Sequence, residues 1–143
     1  MAALVDTNVL VYRYDPRNAE KQRIATEVLD YGIVSNGIRL PHQAIVEFVS
    51  AVSKPIGNGR TLLSPDVARL EAEEILSEFV VLFPTPDLVR VALRGAAMYG
   101  LPWYDAHLWA YAEYYGLDTL LSEDFQHGRR YGTVRAVNPF AGN

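Results

Sequence analysis

The 143-residue chain has the usual length of one domain, predicted as residues 1–143, and half of its residues are apolar, enough for one core. It has no cysteine, no apolar run long enough to cross a bilayer and no secretion signal at its start, so we expect a cytoplasmic protein without thiolate metal sites or a membrane partner. The net charge of −4 argues mildly against a nucleic-acid partner, although eleven of the thirteen basic residues are Arg, which suits phosphate contacts.

Short apolar runs and helix-ending residues divide the first part of the chain into alternating strands and helices. The predicted elements are a buried strand at 3–5, a short helix at 9–14, a helix at 18–31 that ends at Gly32, a strand at 38–40, a helix at 42–54 and a loop at 54–59.

Two helix starts mark the second part, because Ser64-Pro65-Asp66 and Thr85-Pro86-Asp87 each combine a capping hydroxyl, a proline and an acid. The other predicted elements are a buried strand at 79–83, a helix at 105–115 that ends at Gly116, and strands at 118–121 and 134–137. The alternation predicts an α/β fold with a mostly parallel central sheet covered on both faces. Ligands bind such folds beyond the carboxyl ends of the strands.

Acidic residues follow two of the predicted strands. Asp6 comes directly after the first strand, and Asp124 closes the Ser122-Glu123-Asp124 triplet after the strand at 118–121. Both acids are therefore expected at the ligand-binding edge of the sheet. A helix cap explains Asp6 equally well, and a turn or cap explains the triplet.

Two further acids lie on predicted helices. Asp105 opens a helix, where capping is an equally good explanation. Glu47 lies in a helix too apolar for an acid to be freely exposed there, so we expect it to have a partner. The competing interpretation is a solvated stripe that Glu47 forms with residues at helical spacing, namely Gln43, Ser50 and Lys54.

Taken together, several acids from distant strand ends, with few histidines and no cysteine, favour a site for a hard cation such as Mg²⁺ or Mn²⁺. Such ions activate water and neutralise the charge that develops on a phosphodiester, and two ions together stabilise both the attacking and the leaving oxygen. These properties indicate phosphodiester hydrolysis.

The motifs around these acids carry a family resemblance. They are Val5-Asp6-Thr7-Asn8-Val9-Leu10, Glu47-Phe48, Tyr104-Asp105-Ala106, Leu120-Leu121-Ser122-Glu123-Asp124-Phe125 and Asn138-Pro139-Phe140. Together they resemble the PIN-domain family, with the closest likeness to the VapC-type toxins of bacterial and archaeal toxin–antitoxin pairs. The resemblance runs from Ala3 to Phe140, nearly the whole chain.

The resemblance implies a PIN-like three-layer α/β/α fold and a metal-dependent ribonuclease. The family's acidic quartet falls on Asp6, Glu47, Asp105 and Asp124, and its hydroxyl or amide helpers fall on Thr7, Asn8 and Ser122. The partners it implies are an RNA substrate, a second copy of the chain in a homodimer, and a cognate antitoxin protein that also binds DNA.

One departure from the family pattern is that His107 and Trp109 occupy positions that are generally small or aliphatic. His107 lies roughly 200° around the helix from Asp105, so we interpret it as a packing or interface residue rather than a ligand. The loop from His127 to Arg130 is interpreted equally well as a phosphate contact or as an ordinary solvated loop. The nearby aromatic residues, expected in the core or a dimer interface rather than stacked on bases, are Tyr104, Trp109, Tyr111, Tyr114 and Tyr115.

The working hypothesis is that Asp6, Asp105 and Asp124 hold one or two Mg²⁺ or Mn²⁺ ions. Glu47, also counted among the metal-binding residues, would orient or deprotonate the attacking water, directly or through metal. Ser122 and Asn8 would fix the carboxylates, and the products would be a 5′-phosphate and a 3′-hydroxyl. The main alternative is a catalytically idle PIN-like module that binds proteins. A haloacid-type phosphatase is less well supported, because Asp6-Thr7-Asn8 lacks the second aspartate.

Overall fold

The computed structural model describes residues 2–142, and within them the strands form one mixed sheet in the order β3-β2-β1-β4-β6-β5. The strands are β1 Ala3–Val5, β2 Ile38–Pro41, β3 Val80–Leu82, β4 Thr119–Leu121, β5 Arg130–Tyr131 and β6 Val134–Val137. All neighbours pair in parallel except β5 and β6, which form an antiparallel hairpin at one edge. The predicted mostly parallel sheet is therefore confirmed.

Helices cover both faces of this sheet. They are α1 Thr7–Tyr12, α2 Ala19–Ser35, α3 His42–Ser53, α4 Pro65–Glu78, α5 Pro86–Tyr99 and α6 Trp103–Tyr114. Successive residues of the central strand point to opposite faces. Leu4 accordingly packs in the core beneath α5 and α6, whereas Val5 packs in the core with α1 to α4. This is the three-layer α/β/α arrangement that was predicted.

The pairing of β1 with β4 fixes the edge where the predicted acids meet. Val5 lies opposite Leu121, and the Asp6 backbone N–H donates to the Leu121 carbonyl over 3.0 Å. The carboxyl ends of these two central strands therefore lie side by side. The polar residues that follow them start from the same point of the sheet.

The two capping motifs predicted from the sequence are confirmed. The Ser64 hydroxyl accepts a hydrogen bond from the Val67 backbone N–H, and the Thr85 hydroxyl accepts one from the Leu88 N–H. Each helix then begins with its proline. Local sequence chemistry fixes these two boundaries.

The prediction that the second helix ends at Gly32 is wrong. α2 continues to Ser35 and closes at Asn36, whose φ of 54° lies in the left-handed region. Gly32 lies inside α2, where a Cβ would collide with the Ile38 side chain. Its lack of a side chain serves packing of α2 against β2 rather than helix termination.

Two other predictions need correction, and one strand was not predicted. The strand predicted as buried at 79–83 is the shorter β3, which lies at the sheet edge and leaves Val80 43% exposed. α1 begins at Thr7, two residues before the predicted start. The short strand β5 has no counterpart in the prediction, because a two-residue strand carries no periodic pattern.

Among residues 2–142, no helix is both long and apolar enough to span a membrane.

Candidate functional site

Asp6 is the buried centre of the candidate site, with 6% of its surface exposed. Its Oδ1 accepts a hydrogen bond from the Thr7 backbone N–H at 2.6 Å. Asp6 therefore caps α1, as one of the two interpretations of its sequence position predicted. Its Oδ2 accepts further hydrogen bonds, from the Ser122 hydroxyl at 2.7 Å and the Asn8 amide at 3.1 Å. Asp6 is thus more than a cap, because residues from two strand ends hold its carboxylate.

Asp124 joins the same network from the end of β4. The Asn8 side-chain amide donates to Asp124 Oδ2 at 3.2 Å as well as to Asp6. The Ser122 hydroxyl accepts the Asp124 backbone N–H at 3.0 Å. Asn8 and Ser122 therefore link two carboxylates that lie 118 positions apart in the chain.

Glu123 is a residue that the sequence analysis left without a role. Its carboxylate accepts hydrogen bonds from the Lys21 ammonium at 2.8 Å and from the Tyr12 hydroxyl at 2.7 Å. This contact ties the segment after β4 to α1 and α2, immediately beside Asp124. No local motif joins these three residues, so only the tertiary fold reveals the contact.

Asp105 does not cap its helix, so that interpretation is wrong. α6 begins two residues earlier at Trp103, its cap residue is Pro102, and no side chain caps it by hydrogen bonding. Asp105 instead lies half-buried in the first turn. Burial raises the pKa of Asp105, and the charges of Asp124 and Glu47 raise it further.

Glu47 lies on the exposed face of α3, opposite the residues that enter the core. Within residues 2–142 it forms no ion pair, so the expectation that an acid in this apolar helix needs a partner is wrong. Its exposure matches the solvated-stripe interpretation. Its charge nevertheless raises the pKa of both Asp6 and Asp105, so it belongs to the same electrostatic environment.

The pKa of Asp6 is raised to about 7. Burial is the main cause, and the hydrogen bonds from Ser122 and the Thr7 N–H oppose it. The negative charges of Asp124 and Glu47 add to the increase. The four predicted acids therefore share one region of negative potential, and a cation placed there would be stabilised.

The donor set suits a hard cation but not a closed protein cage. Among residues 2–142, no three His, Asp or Glu side chains are grouped closely enough to hold one ion. Mg²⁺ commonly binds through one or two carboxylates and completes its coordination with water and substrate phosphate, so an open site of oxygen donors fits it. Two buried oxygens beside Asp6, Thr7 Oγ1 and Asn8 Oδ1, make no hydrogen bond within the described chain and are further candidate donors or anchors for water.

A pocket of about 520 Å³ opens beside the acids, between α3, α5 and α6. Its lining residues are Gln43, Val46, Glu47, Val89, Trp103, Tyr104 and His107. The His107 imidazole is hydrogen-bonded through Nδ1 to Gln43 Oε1 at 2.7 Å, and burial lowers its pKa. His107 thus lines the pocket together with Glu47.

The aromatic residues of α6 separate into core and surface. Trp109 and Tyr111 are buried as predicted, with 4% and 0% of their surface exposed, whereas Tyr104 is 74% exposed at the pocket. In the loop from His127 to Arg130, Arg129 lies over the Tyr131 ring and the His127 imidazole accepts the Asn138 N–H. Nothing in these contacts directs the loop toward the acids.

Comparison with known proteins identifies the fold. The family model described as PIN domain matches residues 3–132. Among solved structures, a DNA-bound VapBC chain from Salmonella typhimurium is 14% identical over 95% of this chain and 96% of its own, with a TM-score of 0.68. A toxin–antitoxin chain from Klebsiella pneumoniae is 18% identical over 97% and 98%, with a TM-score of 0.67.

A third structure is the VapC20 toxin of Mycobacterium tuberculosis, whose description names cleavage of the sarcin–ricin loop. It is 13% identical over 83% of this chain and 87% of its own, with a TM-score of 0.61. Comparison with curated protein sequences gives no match. The family match spans most of the chain, so this chain belongs to the PIN-domain family.

Proposed function

We propose that this protein is an endoribonuclease that requires a divalent cation, Mg²⁺ or Mn²⁺, and uses Asp6, Glu47, Asp105 and Asp124. The state of Asp6 carries the proposal. Its carboxylate is buried and accepts three hydrogen bonds, yet its pKa is still raised to about 7. This carboxylate is held in place by hydrogen bonds, but its negative charge is not neutralised by a neighbouring positive group among the described residues. A cation bound beside it would supply that charge.

The chain's own residues have separate tasks in this proposal. Asp6, Asp105 and Asp124 would hold the ion, which supplies charge neutralisation at the phosphodiester and acidifies water. Ser122 and Asn8 orient Asp6 and Asp124 through the hydrogen bonds described above. Thr7 orients Asp6 through its backbone N–H.

Glu47 would orient the attacking water or accept its proton. Its exposed position on α3 leaves the carboxylate accessible to solvent and substrate, as this task requires. Attack by water on the phosphodiester breaks the bond to the 3′-oxygen. The products are then a 5′-phosphate and a 3′-hydroxyl, whereas attack by the RNA 2′-hydroxyl would leave a cyclic phosphate.

The direct test is to incubate the purified protein with total RNA, with Mn²⁺ or with chelator, and to map the new 5′ ends. We expect cleavage only with the ion, and 5′ ends that ligate without prior phosphorylation. Cleavage in chelator, or 5′-hydroxyl ends, would contradict the proposed chemistry.

We further propose that the protein is the toxin of a toxin–antitoxin pair, acts in the cytoplasm and forms a homodimer. Support comes from the fold that it shares with the toxin–antitoxin structures. Expression without a partner should then arrest bacterial growth, and the Asp105→Asn variant should not. Normal growth with soluble wild-type protein would contradict the toxin role.

A catalytically idle PIN-like module that binds another protein is the competing function. It is favoured by the lack of any group of three His, Asp or Glu side chains close enough for one ion within residues 2–142. This function predicts no cleavage under any ionic condition. It also predicts that Asp6→Asn and Asp105→Asn leave binding of the partner unchanged.

A further inference from the structure

The pocket between α3, α5 and α6 is continuous with the acidic site. Glu47, which the proposed function places at the attacking water, is one of its lining residues. Tyr104, on the pocket wall, directly precedes Asp105 in the first turn of α6. A polymer whose backbone lies at the acids would therefore place a neighbouring group at the mouth of this pocket.

The walls of the pocket suit a flat aromatic group. Trp103 is 42% exposed and Tyr104 is 74% exposed, so both side chains are accessible at the pocket. The volume of about 520 Å³ lies within the range of about 300–1,000 Å³ that is typical of small-ligand pockets. Stacking on such rings is how proteins hold unpaired bases, and every base has a face to offer.

The polar groups of the pocket match the edge of a base rather than a phosphate. No Lys or Arg is among its lining residues. In the hydrogen bond between His107 and Gln43, the glutamine oxygen accepts, so His107 Nδ1 carries the hydrogen. The Nε2 atom of His107 and the amide NH₂ group of Gln43 are then left for hydrogen bonds to a ligand.

We propose that this pocket holds an unpaired nucleobase of the RNA substrate next to the phosphodiester that is cleaved. The base stacks on Trp103 or Tyr104, and His107 and Gln43 bind its edge. This inference rests on the proposed function only in taking RNA as the ligand. It makes base recognition depend on side chains outside the acidic quartet.

Binding in chelator tests the pocket without any cleavage. The probes are short single-stranded oligoribonucleotides of A, C or U and an abasic oligomer of equal length. Trp103 is the accessible one of the two tryptophans, since Trp109 is 4% exposed, so stacking should quench protein fluorescence. We expect quenching by the oligomers that carry bases and not by the abasic one.

Tyr104→Ala should weaken this binding about tenfold, the scale of one lost stacking contact. Tyr31→Ala is the matched control, because Tyr31 is also 74% exposed but lies on α2, and it should bind like the wild type. His107→Ala and Gln43→Ala should each change the preference among A, C and U. Circular dichroism spectra of all four variants separate a change in RNA binding from misfolding.

The outcomes distinguish this inference from the ribonuclease proposal. Base-dependent quenching without cleavage in Mn²⁺ supports the pocket and contradicts the nuclease. Cleavage with equal quenching by abasic and base-carrying oligomers overturns the pocket alone. The pocket proposal is also overturned if Tyr104→Ala converts a dimer to a monomer in sedimentation and leaves base-dependent binding unchanged, because the pocket is then an interface between copies.

Discussion

The four acids of the candidate site are held in two different ways. The strand-end acids, Asp6 and Asp124, follow β1 and β4 and share hydrogen bonds from Ser122 and Asn8. The helix acids, Glu47 and Asp105, accept no hydrogen bond from any described residue, and only the packing of α3 and α6 positions them. One half of the site is therefore fixed by direct bonds, and the other half is free to adjust its side chains.

Preorganisation of the carboxylates is therefore concentrated at the strand ends. In the fixed half Asp6 bears the cost of burial, since its pKa is raised to about 7 mainly by desolvation, whereas Asp124 is exposed. In the adjustable half Glu47 is exposed and Asp105 is half-buried, and neither carboxylate is held by a hydrogen bond from a described residue, so both can follow the substrate.

The largest expected effect is on catalysis. Asp6→Asn and Asp105→Asn should each lower the rate of RNA cleavage about 10³-fold or more, because each removes a charge on which transition-state stabilisation depends but little volume. Initial rates on total RNA in Mn²⁺ measure the loss. Asp87→Asn, in the first turn of α5, is the control and should cleave normally. A residual rate of more than a few per cent in either site variant would refute the quartet.

The next effect concerns the stability of the metal-free protein. A carboxyl whose folded pKa is raised contributes most stability below its unfolded pKa, here 3.8, and loses that contribution as the pH rises through the folded value of about 7. The free energy of unfolding in chelator should fall between these values by at most about 4 kcal/mol, at about 1.36 kcal/mol per unit. Urea denaturation at a series of pH values measures it.

Asp6→Asn should flatten this pH dependence and make the metal-free protein more stable above pH 7. In the wild type, Mn²⁺ at a hundred times its dissociation constant should restore about 2.7 kcal/mol, and the variant should gain less. The prediction that the Asp6 carboxylate binds the ion fails if both proteins respond equally to Mn²⁺.

A smaller effect is expected at the residues that orient the strand-end acids. Ser122→Ala removes the hydroxyl that donates to Asp6 and accepts the Asp124 N–H. The loss of such an outer contact commonly costs about 10- to 100-fold in metal affinity or activity. Cleavage rates titrated with Mn²⁺ should show the deficit mainly as weaker ion binding. An unchanged Mn²⁺ requirement would show that Asp6 is oriented without Ser122.

The smallest effect is expected at the ion pair of Lys21 and Glu123. Both side chains are partly exposed, at 32% and 22%, so Lys21→Met should cost about 1 kcal/mol or less of stability. Because Glu123 precedes Asp124, the variant should also lower the cleavage rate slightly. Arg23→Met, on the same helix but paired only with acids of α2, is the control and should leave cleavage unaffected. Equal cleavage rates in the two variants would show that Lys21 does not help to position Asp124.

Features encoded within a few residues were predictable from the sequence. The helix starts at Ser64 and Thr85 follow from a hydroxyl and a proline at adjacent positions. The strand before Asp6 follows from a short apolar run ended by polar residues. The order of the motifs was sufficient for the family resemblance, which the family match confirms. The assignment of the four acids drawn from that resemblance stays a prediction.

Features that depend on distant contacts were not predictable. Gly32 looked like a helix end, but its role is to admit Ile38 from the next strand. Asp105 looked like a cap because the preceding Trp103 and Tyr104 do not resemble a helix start, yet α6 begins there. The contact of Glu123 with Lys21 spans 102 positions and leaves no local signature.

The pairing of β1 with β4 also determines when the carboxylate network can assemble during synthesis of the chain. Asp6 is translated well before Ser122, which holds it and follows 116 positions later. Closing so long a segment is a late and entropically costly step of folding. A nascent chain that has not yet exposed β4 lacks both Ser122 and Asp124, so the carboxylate network is assembled only after β4 has been translated and paired with β1.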